Sequence, residues 1–136
     1  MGADKIRAAT EAELLQLRGQ VATHEVSIAT LSGTLLQIAK QGLSAVHRNP
    51  ENWPAGRAIG RQELSSLIRH GRNQAMHWEE EKDPTERSYS ACFEALAEHF
   101  GDRFRDYAIC NLAWDIVDLL QWRDASGFRS ELESLA

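Results

Sequence analysis

The sequence is poor in residues that break helices, cross-link chains or span membranes. It has only two cysteines and three prolines in 136 residues, and no proline precedes Pro50. Cys92 and Cys110 are too few for a disulfide scaffold, and their apolar helical surroundings favour buried, reduced thiols. No window approaches the roughly 18 to 20 consecutive apolar residues of a membrane span, and the first residues lack a signal peptide's apolar core. We therefore expect a cytoplasmic protein without membrane contact.

Short motifs that mark nucleotide-binding loops, zinc sites and serine hydrolases are also missing. The chain has no glycine-rich dinucleotide motif, no P-loop and no Gly-x-Ser-x-Gly, and its cysteines and histidines lack zinc-site spacing. We therefore expect no metal and no cofactor. The composition is 43% hydrophobic and 26% charged, which is typical of one globular domain of this length.

The N-terminal third has the apolar pattern of a long helix. Residues 4–47 repeat apolar side chains at alternating steps of three and four, as a coiled coil does. We call this row the seam: Leu14, Leu17, Val21, His24, Ile28, Leu31, Leu35 and Ile38. Residues 1–31 are interpreted as a coiled-coil-like dimerisation extension. Gly33 marks a place where the helix can break.

Shorter helices follow a loop at residues 48–60. An amphipathic helix begins near Leu64, and Gly71 marks a place where it can be interrupted. A further helical stretch runs from Arg72 to about Glu81. These apolar patterns have a helical period, and no segment shows sustained alternation with a period of two.

Capping residues mark the helices of the C-terminal half. Asp83, followed by proline, predicts the start of one helix. A long apolar helix follows Asp102 and places Trp114 in the core, and a last helix begins near Asp124. The sequence therefore predicts a single all-α domain over residues 1–136, a bundle of about five helices with a long N-terminal helix.

Charge is unevenly distributed along the chain. The net charge of −5 by itself argues against a nucleic-acid partner. However, residues 47–77 contain five arginines and two glutamates, a net charge of +3, whereas residues 78–136 carry −8. Arginine suits bidentate phosphate recognition. The basic segment therefore predicts either a phosphate-binding surface or a solvated face that pairs with the acidic C-terminal helices.

The densest polar cluster of the chain is residues 69–79. His77 comes four residues after Asn73 and seven after His70, so the three share a face if the segment is helical. Arg72 lies about 140° from His77 in a continuous helix. If a new helix starts just before Arg72, the helix N-terminus adds its own attraction for a phosphate.

These residue types suit the cleavage of RNA without a metal. Histidine moves protons near neutral pH, and arginine neutralises charge that develops on a phosphorane-like transition state. Because RNA supplies its own nucleophile, the 2′-hydroxyl, the enzyme has only to activate that hydroxyl, stabilise the phosphorane and protonate the leaving 5′-oxygen. A single catalytic histidine in each chain is too few for both proton transfers. This indicates a site shared by two protomers.

The spacing Arg72-Asn73-x-x-x-His77 resembles the Arg-x4–6-His motif of the HEPN superfamily, in its Arg-Asn-x-x-x-His form. Its members are small all-α domains, and many are metal-independent endoribonucleases of toxin–antitoxin, abortive-infection and CRISPR defence systems. They typically dimerise so that two copies of the motif face each other in one cleft. The resemblance implies a homodimeric ribonuclease with a toxin or antiphage defence role, RNA as its substrate and a regulatory protein as a further partner.

The resemblance also implies roles for single residues. Arg72 and His77 would be catalytic, and Asn73 would support them. The expected substrate-binding neighbours are Arg69, His70, Gln74 and Trp78. HEPN toxins paired with nucleotidyltransferase antitoxins usually have tyrosine two positions after the histidine, where this chain has Glu79. That subgroup is therefore not indicated.

Two other functions stay open at this point. One is a catalytically inactive HEPN-like module that dimerises or binds a partner through the same helices. The other is a helical adaptor or antitoxin-like protein unrelated to RNA, whose acidic C-terminal half would be the binding surface.

Overall fold

A computed structural model describes residues 2–136 and shows a helical bundle around one long helix. The five α-helices in this range are α1 (Gly2–His47), α2 (Leu64–His77), α3 (Ser90–Phe100), α4 (Ala113–Leu120) and α5 (Ala125–Ser134). They are connected by 3₁₀ segments at Pro50–Asn52, Pro84–Glu86 and Asp102–Ala108 and by an antiparallel ribbon of β1 (Ala58–Ile59) and β2 (Gln62–Glu63). The predicted all-α bundle with a long N-terminal helix is confirmed.

Helix α1 is continuous over 46 residues, but only its C-terminal third packs against the bundle. Its buried residues are Ser32, Leu36, Ala39 and Leu43. Residues 2–28 are exposed on every side of the helix. The break considered at Gly33 is absent. A Cβ added at Gly33 would lie 3.7 Å from Ala75 Cβ, so the glycine lets α1 approach α2 closely.

Helix α2 runs without interruption through Gly71, so the interruption considered there is absent. A Cβ added at Gly71 would lie 3.2–3.3 Å from Ile116 and Leu36, both fully buried. Gly71 is therefore the point where α2 packs tightly against α4 and α1. The helix ends at His77, and residues 78–82 form a turn rather than the predicted continuation to Glu81.

The long helix predicted after Asp102 is two separate elements. A 3₁₀ segment, Asp102–Ala108, precedes an irregular stretch, and α4 begins only at Ala113. The fully buried side chain of Gln74 enters this break and bonds three backbone groups there. These bonds replace the intrahelical bonds that a continuous helix would make.

The two predicted helix starts in the C-terminal half have different outcomes. Asp83 caps only a 3₁₀ turn, where its carboxylate accepts a hydrogen bond from the backbone N–H of Thr85 at 2.9 Å, and α3 begins later, at Ser90. Asp124 caps α5 as predicted and accepts from the N–H of Gly127 at 2.7 Å.

Aromatic residues of the C-terminal half fill much of the core. Tyr89, Phe93, Phe104 and Tyr107 are buried and pack on one another with ring centroids 6.0–6.5 Å apart. Trp114 was expected in the core but is 41% exposed, because it lies on the outer side of the short α4.

The cysteines are free thiols. Cys92 is buried as predicted, and burial raises its pKa to about 12, which keeps the thiol protonated and unreactive. Cys110 is only half-buried, because it lies in the irregular stretch rather than inside a helix.

Among residues 2–136, the helices lack the combined length and apolar content that crossing a membrane requires.

Candidate functional site

The polar cluster of the sequence lies on the second half of α2 and the turn after it. Leu67 and Gly71 point from α2 into the core, and the opposite side of the helix presents Arg69 and Met76 to solvent. Asn73, half-buried, lies on the same outward side. We call this outward side the α2 face. Because α2 is continuous, Arg72 is at one edge of the α2 face, next to α1.

His77 is at the other edge of the α2 face, about 140° round the helix from Arg72. Asn73 lies between them in projection. His77 is the last residue of α2, where the carbonyl end of the helix carries partial negative charge. The motif therefore does not use a helix N-terminus to attract phosphate, because the new helix start considered before Arg72 does not exist.

Polar contacts fix the side chain of Arg72. Its Nε donates to Gln37 Oε1 of α1 at 2.6 Å, and its Nη1 donates to Asn73 Oδ1 at 3.1 Å. The guanidinium thus bends from its edge towards the middle of the α2 face. It makes no ion pair within residues 2–136, so its positive charge is not neutralised by a carboxylate there.

A groove beside Arg72 is the largest of the described cavities. It has a volume of about 440 Å³ and lies between α1 and α2. Gln37, which orients Arg72, lines it together with exposed Met76. Its other polar lining residues are Thr30, Thr34, Gln41 and Asn111. The groove therefore offers hydroxyl and amide groups next to the arginine.

His77 is exposed and is held by an acidic neighbour. Its Nδ1 lies 2.5 Å from Glu80 Oε1 in the turn after α2. Because an ionised carboxylate only accepts hydrogen bonds, Nδ1 carries the proton, and in the neutral ring Nε2 has the free lone pair. Nε2 has no hydrogen-bond partner within the described chain. A pocket of about 140 Å³ opens beside the ring.

A buried arginine shapes the turn that carries Glu80. Arg87 donates to the carbonyl oxygens of Trp78 and Glu80, both at 2.8 Å, and of Lys82 at 3.0 Å. It also donates to the hydroxyl of Tyr89 at 3.0 Å. These bonds fix the backbone of the turn and so place the Glu80 carboxylate beside the histidine.

The sequence argument missed Glu80 and Arg87. Glu80 is within a run of three glutamates that has the appearance of a solvated helix end, and only its spacing of three from His77 distinguishes it. Arg87 lies ten residues beyond the motif, and no sequence pattern connects it with the site.

The neighbouring residues of the motif have different environments. Arg69 is exposed on the α2 face, where a substrate can reach it. His70 is half-buried, and its Nδ1 is buried without a hydrogen-bond partner. Burial, and to a lesser extent the positive charge of Arg69, lowers the pKa of His70 below its ordinary value of 6.5. His70 is therefore neutral near pH 7.

Two expected substrate-binding residues point elsewhere. Gln74 is fully buried and all its bonds go to the break before α4, so it has no surface to offer a substrate. Its assignment is corrected to a structural residue. Trp78 is half-buried at the C-terminal cap of α2, and its backbone N–H donates to the Gln74 carbonyl.

The arginines of the basic segment divide into those that pair with the acidic C-terminal helices and those that do not. Arg57 pairs with Glu131 at 2.9 Å and Arg61 with Glu98 at 3.8 Å, so these two face the acidic C-terminal helices. Arg69 and Arg72 make no such pair within residues 2–136 and are left on the α2 face. The positive charge that remains unneutralised therefore includes the motif arginine.

Comparisons with protein-family models, with curated proteins and with solved structures give no match to this chain.

Proposed function

We propose that this protein is a metal-independent endoribonuclease whose site is completed by two copies of the chain. The supporting observation is the α2 face itself, which holds an arginine without an ion pair, an amide and, at its edge, a histidine with a free Nε2. These are the groups that cleavage of a phosphodiester next to a 2′-hydroxyl requires.

The proposed reaction is an in-line transfer within the RNA. His77 Nε2 removes the proton of the 2′-hydroxyl, and the resulting oxygen attacks the adjacent phosphorus. Arg72 neutralises the charge on the phosphorane, held in place by Gln37 and Asn73. The bond to the 5′-oxygen then breaks, and a second histidine protonates that oxygen. The products are a 2′,3′-cyclic phosphate and a free 5′-hydroxyl.

The geometry of α2 favours a site made by two chains. Arg72 and His77 diverge by about 140° around a continuous helix, so within one chain they approach a phosphate from different sides. A second α2 face packed against the first would supply the missing histidine and an arginine from the opposite direction. Met76, which is 61% exposed at the middle of this face, provides an apolar contact for such packing.

Glu80 acts as a positioning residue in this proposal. By accepting from Nδ1 it fixes the ring orientation and directs Nε2 away from α2. The arrangement serves the same purpose as the acidic member of other histidine-based sites, which holds the imidazole in one tautomer.

The resemblance to HEPN domains supports a toxin or antiphage defence role under the control of a regulatory protein. Uncontrolled cleavage of cellular RNA would stop growth. Induced expression of the wild-type chain in a bacterial host is therefore expected to arrest growth, whereas the His77→Ala chain is tolerated at equal protein level. Equal growth with both chains would remove the support for a toxin role.

The cleavage test uses purified full-length protein, structured and unstructured RNA, and EDTA throughout. We expect the wild type to produce 2′,3′-cyclic phosphate ends and His77→Ala to lose at least 100-fold in rate, the scale of one proton-transfer group (about 10²–10⁴). His99→Ala is the matched control, because His99 is exposed on α3 and outside the α2 face. If His77→Ala and wild type cleave equally, the enzymatic proposal fails and an inactive binding module is favoured.

Mixing wild type with an excess of His77→Ala tests the shared site, because the proposed reaction uses His77 of both chains. A mixed dimer then has only one of the two histidines. We expect activity to fall with the square of the wild-type fraction rather than in proportion to it. A proportional fall in verified mixed dimers would contradict the sharing of the site.

A further inference from the structure

The free part of α1 is a helix without a packing partner. Residues 2–31 extend about 45 Å beyond the bundle at 1.5 Å per residue, and nearly all of them are exposed. A helix of this length obtains most of its stability from packing an apolar face. Among the described residues nothing covers the seam from Leu14 to Leu31, where Leu17 and Val21 are 56% and 55% exposed.

The opposite side of the same helix is polar. The hydroxyls of Thr23, Thr30 and Thr34 each donate to the carbonyl four residues earlier, at 2.9 Å. Thr23 and Thr30 lie on the side of α1 away from the seam, and all three hydroxyls are satisfied by their own helix. One side of the helix is therefore polar and suited to solvent, and the other side is apolar and suited to packing.

We infer that the seam from Leu14 to Leu31 forms a two-stranded, parallel, in-register coiled coil with a second copy of this chain. The inference does not depend on the ribonuclease proposal. In heptad notation Leu14, Val21 and Ile28 occupy a positions, and Leu17, His24 and Leu31 occupy d positions. Two of the three a positions carry β-branched residues and two of the three d positions carry leucine, and in parallel coiled coils this combination favours two strands.

Charge complementarity selects the second copy and its orientation. Glu13 is at a g position and Arg18 is at the following e position, five residues later. In a parallel, in-register pair these positions face each other across the seam, so Glu13 of each copy meets Arg18 of the other. The pairing forms twice by symmetry. Within one helix a spacing of five brings the two side chains to different faces.

An antiparallel pair lacks this charge complementarity. If the same apolar layers are kept, Leu14 faces Leu31 of the other copy and Glu13 faces Ser27, so Glu13 meets no opposite charge. Within these layers, Glu13 meets Arg18 of the other copy only in the parallel pair.

The coiled coil leaves the α2 face open. Leu31, the last layer of the coiled coil, lies about 120° round α1 from Gln37, the residue that contacts Arg72. The seam from Leu14 to Leu31 and the α2 face are therefore separate surfaces, and loss of one contact is distinguishable from loss of the other.

The first test compares two valines of the free helix by sedimentation velocity and native mass spectrometry. Val21 is in the seam and Val26, which is 68% exposed, is on the opposite side at an f position. We expect a dimeric wild type, a monomeric Val21→Lys and a dimeric Val26→Lys. A monomeric or trimeric wild type overturns the inference, as does equal behaviour of the two lysine variants. Circular dichroism should show a loss of helix with Val21→Lys only.

The second test reads the orientation from charge reversal. Glu13→Arg and Arg18→Glu each place like charges across a parallel seam and are expected to weaken the dimer, whereas the double variant restores it. Restoration by the double variant is specific to facing positions. If neither single variant changes the dissociation constant, the parallel register is wrong. His24→Leu, which replaces the one polar layer, is expected to tighten the dimer; an unchanged dimer contradicts burial of His24 in the seam.

Discussion

The side chain of Gln74 holds the backbone of Leu112 from the other side of the core. Its Oε1 accepts the Leu112 N–H at 2.9 Å, and its Nε2 donates to the carbonyls of Tyr107 and Cys110 at 2.9 and 2.6 Å. One buried side chain thus satisfies three backbone groups at the break before α4. Gln74 is next to the site residue Asn73 in sequence and yet acts only in the fold.

We therefore expect Gln74→Ala to destabilise the protein without a direct effect on the α2 face. Loss of the amide leaves buried backbone groups unsatisfied, at a cost of about 1–3 kcal/mol for each group that water cannot reach. The free energy of unfolding from urea titration measures the effect. Gln41→Ala is the control, because Gln41 is exposed on α1, and a similar loss in both variants would contradict this role.

Two helical glycines predict opposite effects of the same substitution. A Cβ added at Gly42 of α1 meets nothing within 4 Å, so Gly42→Ala should stabilise by up to about 1 kcal/mol through helix propensity. At Gly71 the added Cβ lies 3.2–3.3 Å from the fully buried side chains of Ile116 and Leu36, which would have to shift within the packed core by a few tenths of an ångström. Gly71→Ala should therefore lower the melting temperature while Gly42→Ala raises it. A rise in both would show that α2 and α4 can separate without cost.

The helical class and most helices were predictable from the sequence because they depend on local periodicity and caps. Asp124, for example, caps α5 where the sequence places it. The break before α4 was not predictable, because the groups that satisfy it belong to a glutamine more than thirty residues earlier. The role of Gly71 was not predictable for the same reason: propensity describes the helix alone, whereas tight packing against α4 decides its role.

The candidate site was predictable only in part. The Arg72-Asn73-x-x-x-His77 spacing identified three residues that share or border one open face. Glu80 and Arg87 contribute through the shape of the turn after α2, which no local pattern specifies.

The half-buried His70 predicts a pH-dependent stability. Burial, followed by Arg69, lowers its pKa in the folded protein, so the unfolded chain binds its proton at higher pH than the folded chain does. Stability is fully present above the unfolded value of 6.5 and falls as the pH falls through the folded pKa. Urea unfolding between pH 8 and 5 should show this decline. His70→Gln should reduce its slope, whereas His99→Gln, at an exposed position, provides the comparison; an unchanged slope with His70→Gln excludes His70 as the source.

Under the proposed function, substitution of Glu80 is expected to reduce activity without reducing stability. Glu80→Gln keeps the size of the side chain but removes the carboxylate that fixes the His77 tautomer. The cleavage rate should fall by about ten-fold or more, a part of the 10²–10⁴ that general acid–base catalysis supplies. The melting temperature should change little, because both groups are exposed. Glu79→Gln is the adjacent control, and equal rates for both variants would assign Glu80 no positioning role.

Under the proposed function, Arg69 on the α2 face predicts how RNA binding depends on salt concentration. Arg69 is exposed and makes no ion pair within residues 2–136, whereas Arg61 lies 3.8 Å from Glu98. The logarithm of the binding constant falls linearly with the logarithm of the salt concentration. If Arg69 contacts a phosphate, Arg69→Ala should reduce the steepness of this fall by about 0.7–0.9, the value for one phosphate contact. Arg61→Ala should leave the slope unchanged. Fluorescence anisotropy with a His77→Ala background prevents cleavage during the titration. An equal slope for the two variants would place the RNA away from the α2 face, because the charge of Arg69 would then do no more for binding than that of Arg61.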